Sequence, residues 1–392
     1  MEKNKISELY EHYRHTLLDD VIPFWLKHAI DHEYGGYHTF LDLDGSVYNT
    51  DKGMWMISRG IWMFSKLYNT VEKRLEWLEA ARCGYDFLIK YGFNSIGRMF
   101  YAVTCDGRPL RKRRYLFTEL FGVLACAEFA RAANSATALR KAKDIFQLVI
   151  SYYRNPSSRL PKVFPQTRVT KSHAMPMILL ATSMELMQID SDPLYNEVID
   201  DALDDILNQF LKPDLHALLE TVGPNGERLD SPEGRCINPG HAIETSWFIL
   251  HAAHYRKDNS LIKKALNILN WSFEWGWDEK YGGLLSYVDL EDKPSEHLEW
   301  DMKLWWPHTE ALYAFLLAYS ITKEKIYFER FEKVHRWAFD HFPDPKYGEW
   351  FGYLHRDGSV SLSLKGSLWK GPFHLPRALL QCMKLLKKLE QS

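Results

Sequence analysis

The chain has 392 residues, 46% of them apolar and 26% charged, with a formal net charge of −2. That balance offers no electrostatic footprint for nucleic acid or an acidic membrane surface, and no 18-residue apolar run marks a transmembrane helix. Five cysteines, odd in number and without CxxC spacing, together with a charged N-terminus lacking an apolar signal core, read as a reduced, cytoplasmic protein.

In chain order, the first distinctive phrase is Asp31-His-Glu-Tyr34-Gly35-Gly36, leading into a short alternating apolar run that turns at Asp44-Gly45. Helical periodicity follows over Met54–Tyr68 and again over Leu75–Ile89, up to a stop at Lys90-Tyr91-Gly92. Gly97-Arg-Met-Phe100-Tyr101 turns at Asp106-Gly107, and the basic Arg111-Lys112-Arg113-Arg114 after it reads as a solvated loop. The helix couplet recurs over Leu116–Ala130 and Thr137–Tyr152. Leu160-Pro-Lys-Val-Phe164 stands where the next hairpin has lost its turn signature. His216-Ala-Leu-Leu-Glu220 turns at Asn225-Gly226, followed by helices over Ala242–His254 and Leu261–Phe273. The opening phrase then returns as Asp278-Glu-Lys-Tyr281-Gly282-Gly283, with a looser turn at Glu291-Asp292-Lys293, and helices over Thr309–Ser320 and Lys325–His341. Its third copy, Asp344-Pro-Lys-Tyr347-Gly348-Glu349, turns at Asp357-Gly358. Asp-Gly and Asn-Gly between alternating apolar residues signal hairpins whose two central positions take positive φ.

Hairpin turns near 45, 107, 226, 292 and 358, spaced by 60-odd residues or about twice that, mark a repeat architecture of about six units, each a hairpin plus two helices. The helices are apolar over much of their circumference, which implies burial on more than one face. No polar capping repeat is present, as an open solenoid would need. The expected fold is therefore all-α: one (α/α)6-barrel domain over residues 1–392, with short β-hairpins at one end.

In such a barrel the helix after each hairpin lies inside and starts near the mouth. Polar residues recur there at one offset, about 12 to 16 residues beyond each turn: Arg59, Glu119, His241, His308 and His374. Convergence on one cavity explains them better than packing. Asn238 can cap a helix with Pro239 in its first position. That puts His241 in the first turn, where the helix dipole favours a neutral ring, with Glu244 three residues on to orient it. Glu310 and His308 are two apart, so one faces the cavity and the other supports it. His173 holds the comparable place in the degenerate unit. Trp306 and Trp369 offer faces for stacking on a sugar ring. His12, His251, His254, His335 and His341 read as structural or solvated. HExxH, GxSxG and Walker A motifs are absent. Histidines spread over separate helices argue weakly for zinc, and they outnumber the carboxylates a glycosidase needs. The balance favours proton transfer at carbon.

Lys303-Leu-Trp-Trp-Pro-His-Thr-Glu310-Ala, Tyr347-Gly-Glu-Trp-Phe-Gly-Tyr353-Leu, Lys370-Gly371-Pro-Phe-His374-Leu-Pro-Arg377, Asn238-Pro-Gly-His241-Ala-Ile-Glu244 and Ser58-Arg59 closely resemble the N-acylglucosamine 2-epimerase family. The resemblance runs from Ile22-Pro23-Phe24-Trp25 to Arg377. The Trp-Trp-Pro-His and Lys-Gly-x-Phe-His blocks look more like its N-acetylglucosamine branch than its cellobiose branch, although Pro372 stands where that branch often has a small residue. The resemblance implies interconversion of N-acetyl-D-glucosamine and N-acetyl-D-mannosamine through ring opening, C2 deprotonation to an enediolate and reprotonation. His241 and His374 would be the two bases, Arg59 would serve the sugar oxygens, and Glu310 and Glu244 would set histidine protonation. Glu119, His173, Trp306, His308 and Trp369 would contact substrate. The chemistry needs no cofactor or metal; ATP enters as the activator common in that branch, with no phosphate loop in this sequence to support it. A homodimer is the family expectation. The alternatives are epimerisation or isomerisation of an unacetylated sugar such as cellobiose or mannose, and a non-catalytic sugar- or partner-binding protein.

Overall fold

The computed structural model describes residues 2–112, 115–155, 164 and 167–391. Leu160 to Val163 of the degenerate hairpin, and Arg113 and Arg114 of the basic cluster, lie outside them. Long helices carry the architecture: α1 (Glu2–His15), α2 (Met54–Thr70), α3 (Leu75–Tyr91), α4 (Phe117–Ala133), α5 (Ala136–Arg154), α6 (Ala174–Met187), α7 (Pro193–Asp205), α8 (Pro239–Arg256), α9 (Asn259–Gly276), α10 (Trp305–Thr322), α11 (Lys325–His341) and α12 (His374–Gln391). Even-numbered helices form an inner ring, each packed on the next from α2 to α12. Each of α2 to α10 has the following odd-numbered helix outside it, and α1 packs on α12 as the sixth outer helix. The two ends of the chain thus build one unit, which the sequence reading missed. The ring closes between α12 and α2 through side chains: Trp62 meets Phe373 with ring centroids 5.2 Å apart. The fold is an (α/α)6 barrel. Among the described residues no helix is long and apolar enough to cross a membrane.

Sequence separates the two rings. Outer α5 buries Ala138, Ala142, Ile145, Phe146, Val149 and Ile150, a single stripe at helical spacing. Inner α4 is buried without a break from Thr118 to Ala130, because it faces both the outer layer and its ring neighbours.

The hairpins lie at the end where inner helices begin. Gly45, Gly107, Gly226 and Gly358 all have φ between 81° and 91°, whereas the Asp or Asn before each does not have positive φ. These are therefore three-residue loops closed by a left-handed glycine and a bulge, rather than two-residue turns with two positive φ values. In the first, Gly45 N–H donates to Asp42 O at 3.0 Å and Asp42 N–H to Ser46 O at 2.8 Å. A short strand leading into an inner helix pairs with the hairpin of the next unit: Lys52–Gly53 with Ala102–Val103, and Lys303–Leu304 with Tyr353–Leu354. This stitching fixes where α2 and α10 start.

The recurring phrase has a structural use. Oδ1 of Asp31, Asp278 and Asp344 caps its own turn, accepting from the N–H groups two and three residues on. The other carboxylate oxygen meets a buried lysine: Lys52 at 2.6 Å, Lys303 at 3.0 Å and Lys365 at 2.9 Å. Burial by itself raises the Asp278 carboxyl, but hydrogen bonds from Arg356 and Lys303 overcome it and hold the group well below the usual carboxylate range. Replacing Asp278 with Ala strands the Lys303 ammonium in the core. Urea unfolding should show a loss of about 3–5 kcal/mol. Because the native carboxyl pKa is depressed, the pair's contribution is full above about pH 4 and declines as pH falls further. Asp278→Ala should lack that acid limb.

Candidate active site

The inner helices enclose a cavity of about 760 Å³. At its mouth end, first and second turns of four inner helices bring Arg59, His241, Glu244, Glu310, His374 and Arg377 together. Trp306 lies against both histidines, with its ring 5.2 Å from that of His241 and 5.6 Å from that of His374. Its place depends on Gly240: a Cβ there would come within 2.6 Å of the Trp306 ring.

His241 stands as the sequence places it. Asn238 caps α8, its Oδ1 accepting the His241 N–H at 3.0 Å, and Pro239 follows in the first position. Its charge state differs from expectation. Burial lowers the imidazole pKa, but the Glu220 carboxylate, 3.0 Å from Nδ1, more than offsets it, and the net shift is upward. Glu220 is itself held below the ordinary carboxylate range: burial raises it, but His241 and His173 outweigh that. A contact ion outweighs the diffuse helix dipole here. The orienting acid is therefore Glu220, not Glu244.

His374 has the opposite character. Its Nδ1 is 2.8 Å from Glu310 Oε1, and its Nε2 is 3.2 Å from Arg59 Nη2. A guanidinium can only donate, so Nε2 carries the lone pair and Nδ1 the proton. Burial, then the Arg59 charge, push His374 well below the ordinary imidazole value. Glu310 also accepts from Trp247 Nε1 at 2.9 Å and from Arg377 Nη2 at 2.7 Å, and the same Arg377 nitrogen reaches Glu244 at 2.6 Å. Glu244, Glu310 and His374 form the one group among the described residues spaced to converge on a metal ion. The Arg377 guanidinium already reaches both carboxylates. Arg59 is boxed by the rings of Trp55, Phe121 and Phe373 at 4.4–4.8 Å. Its hydrogen bonds among the described residues go to His374 and the Trp369 carbonyl, neither a carboxylate. Burial, then Arg377, lower its pKa to about 9.

Three expected contacts do not reach the cavity. Glu119 is captured by Arg98 and by the Met99 N–H. His308 donates through Nδ1 to Leu304 O at 2.7 Å and accepts the Leu284 N–H at Nε2, so it secures the neighbouring hairpin, and burial lowers its pKa to about 3. Glu310, two residues on, turns toward His374, Arg377 and Trp247, behind the cavity wall. His173 is fully buried behind Glu220, 3.5 Å from it, with Nε2 3.1 Å from Thr245 Oγ1. Trp306 and Trp369 do line the cavity. Sequence reading missed Glu220, a lone acid in the apolar run Ala217–Val222. It also read His251 as structural or solvated, on an ordinary amphipathic face. His251 instead lines the cavity, bonded to Tyr313 OH at 2.8 Å, and burial lowers its pKa to about 4.

The profile of the family described as N-acylglucosamine 2-epimerase (GlcNAc 2-epimerase) matches residues 35–375. The chain belongs to this family. The N-acylglucosamine 2-epimerase of Bos taurus is 38% identical over 380 residues, covering 95% of this chain and 90% of that protein. The cellobiose 2-epimerase of Dictyoglomus turgidum is 27% identical, covering 98% of each. The solved structure of cellobiose 2-epimerase from Bacillus thermoamylovorans superposes with a TM-score of 0.85 at 23% identity, over 96% of this chain and 99% of that one. These relatives are named epimerases, enzymes that isomerise carbohydrates.

The Glu220–His241 contact has a direct readout. In NMR titration the native His241 ring should titrate above the ordinary imidazole value of about 6.5. In Glu220→Gln it should fall, since burial remains while the adjacent charge is gone. An unchanged His241 titration would show that Glu220 does not set its charge.

Proposed function

We propose that this protein is a sugar 2-epimerase that interconverts N-acetyl-D-glucosamine and N-acetyl-D-mannosamine. The observation that carries the reading is the pair of histidines on one tryptophan, with opposite proton preferences. Epimerisation at a carbon next to an aldehyde needs that arrangement: one group removes the C2 proton and another delivers a proton to the opposite face.

The ring-opened sugar binds with C2 between the two rings. Arg59, without a carboxylate of its own, shifts from His374 Nε2 to the aldehyde oxygen, which frees the Nε2 lone pair. Nε2 takes the C2 proton, the C–H electrons form the C1–C2 double bond, and charge moves to the aldehyde oxygen beside Arg59. Glu310 accepts from Nδ1–H and steadies the imidazolium that forms. His241, kept protonated by Glu220, returns a proton to C2 from the other side, and the electrons reform the carbonyl. The reverse reaction uses the same groups with roles exchanged. The bovine relative's greater identity than the cellobiose enzyme's supports the N-acetylated substrate over an unacetylated one.

Proton NMR of the enzyme with N-acetylmannosamine in D2O should show N-acetylglucosamine appearing with deuterium at C2. Turnover of cellobiose or mannose alone would overturn the substrate assignment, and turnover of none of these sugars would favour a binding protein. The histidine pair must hold one proton, so kcat/KM should fall at alkaline pH as His241 deprotonates and at acid pH as His374 gains a proton. Arg59→Ala should lower kcat/KM by roughly 10²–10³-fold with little change in Tm. A large Tm loss at unchanged kcat/KM would make Arg59 a structural residue.

A further inference from the structure

One carboxylate of the cavity wall takes no part in the proton transfers. Three carboxylates line the cavity among the described residues, and two of them are paired: Glu185 with Lys66 at 2.9 Å and Glu244 with Arg377 at 2.6 Å. The third, Glu299, is half-buried, and among the described residues no hydrogen bond or ion pair engages its side chain. An ionised carboxylate only accepts hydrogen bonds, through two oxygens. Its segment is held by the backbone. Trp300 O accepts from the N–H groups of Ser286 and Tyr287, both at 3.1 Å, and the Met302 N–H donates to Glu299 O at 3.1 Å. His297 stacks on Tyr287 with ring centroids 3.9 Å apart and planes 9° apart. Tyr287 directly precedes the strand Val288–Asp289, which pairs with Cys236–Ile237 just ahead of α8, while the chain after Glu299 runs through Lys303–Leu304 into α10. Glu299 therefore lies at the hairpin end of the cavity, by the starts of α8 and α10. Two phenols flank it. Burial first, then the Glu220 and Glu299 carboxylates, raise the Tyr287 hydroxyl, and burial, opposed by Ser367 and then aided by Glu299, raises the Tyr353 hydroxyl to about 12. The arginines of the wall, Arg59 and Arg377, both stand at the level of the histidines, and no lysine lines the cavity among the described residues.

We propose that Glu299 is a specificity-determining residue, its two carboxylate oxygens accepting hydrogen bonds from two neighbouring hydroxyls of the C3–C6 chain of the sugar. The proposal rests on the epimerase reading and names the residue that reads the part of the substrate remote from C2. With C1 at Arg59 on α2, the chain from C3 onward leaves C2 for the side of the ring where the Glu299 segment enters α10. A fixed carboxylate is suited to this task because hydroxyl-to-carboxylate hydrogen bonds are short and strong, and its segment is ordered before the ligand arrives. The same charge sets a limit on the chain's end. A phosphate or carboxylate there meets Glu299 with no lysine or arginine beside it, so like charges oppose binding.

The test is kcat/KM on N-acetylmannosamine, its 4-deoxy and 6-deoxy analogues and its 6-phosphate. Every neighbouring pair of hydroxyls in the chain includes the one on C4 or the one on C6, so one analogue or both must lack a partner of Glu299. In the native enzyme at least one deoxy-to-parent ratio should lie roughly tenfold or more below one, the scale of a lost hydrogen bond to a charged group. Glu299→Ala should bring that ratio back toward one. Glu299→Lys should raise the 6-phosphate-to-parent ratio by roughly tenfold or more, since repulsion becomes attraction. Each ratio is taken within one enzyme, so partial loss of folded protein cancels, and a residue that only braces the segment would lower all substrates alike. If the native enzyme converts N-acetylmannosamine but the deoxy ratios are the same in Glu299→Ala, or the phosphate ratio is unchanged in Glu299→Lys, the hydroxyl chain is read elsewhere and the assignment of Glu299 is wrong while the epimerase reading stands. If the native enzyme does not convert N-acetylmannosamine, both fall together.

Discussion

The guanidinium of Arg377 lies between two carboxylates from neighbouring inner helices, Glu244 of α8 at 2.6 Å and Glu310 of α10 at 2.7 Å. Three inner helices are thereby fixed to one another at the level of the two histidines. Ions buried this deeply are tolerated only when each is matched, and removing one partner of such a set is far more damaging than forming it is helpful. The arrangement settles the state of His374. Glu310, hydrogen-bonded by Arg377 and Trp247, accepts the hydrogen bond from Nδ1–H, and Arg59, which can only donate, faces the Nε2 lone pair. Arg59, Arg377 and the surrounding aromatic rings then make a second proton on that ring unfavourable.

Across Trp306 the same principle runs with opposite sign. His241 has one close carboxylate that is not neutralised by an arginine, and so it is the ring that holds the proton. The two histidines sit at comparable places at the starts of α8 and α12, so the helix dipole does not distinguish them. Their neighbours do. Glu220 comes from the strand region ahead of a hairpin, whereas Glu310 comes from the adjacent inner helix already engaged with Arg377. A fold of nearly repeated units thus gives the same residue type opposite proton affinities at two places.

Much of this was legible in the sequence because repeats leave copies. The Asp-x-x-Tyr-Gly phrase, the Gly turns and the apolar helices are local patterns, and each carried its element into the structure. Asn238-Pro239-Gly240-His241 was readable as a capped helix start for the same reason. What failed involved partners distant in sequence. Glu119 and His308 share the offset of Arg59, His241 and His374, but Arg98 captures one and the Leu284 N–H the other. Glu220 lies 21 residues before His241, on a different element, with no periodicity linking them. The N-terminal helix α1 was missed as a barrel element because its packing partner, α12, is at the other end of the chain.

The central claim is that two histidines address the two faces of C2. It is tested most directly by exchange with solvent in single-histidine variants. His241→Ala and His374→Ala, each folded as judged by circular dichroism, are incubated in D2O with N-acetylglucosamine and separately with N-acetylmannosamine, and deuterium at C2 is followed by NMR. The account predicts that neither variant epimerises and that each retains wash-out for only one epimer, a different one in each case. A variant that still epimerises, or two variants that exchange the same epimer, would contradict it.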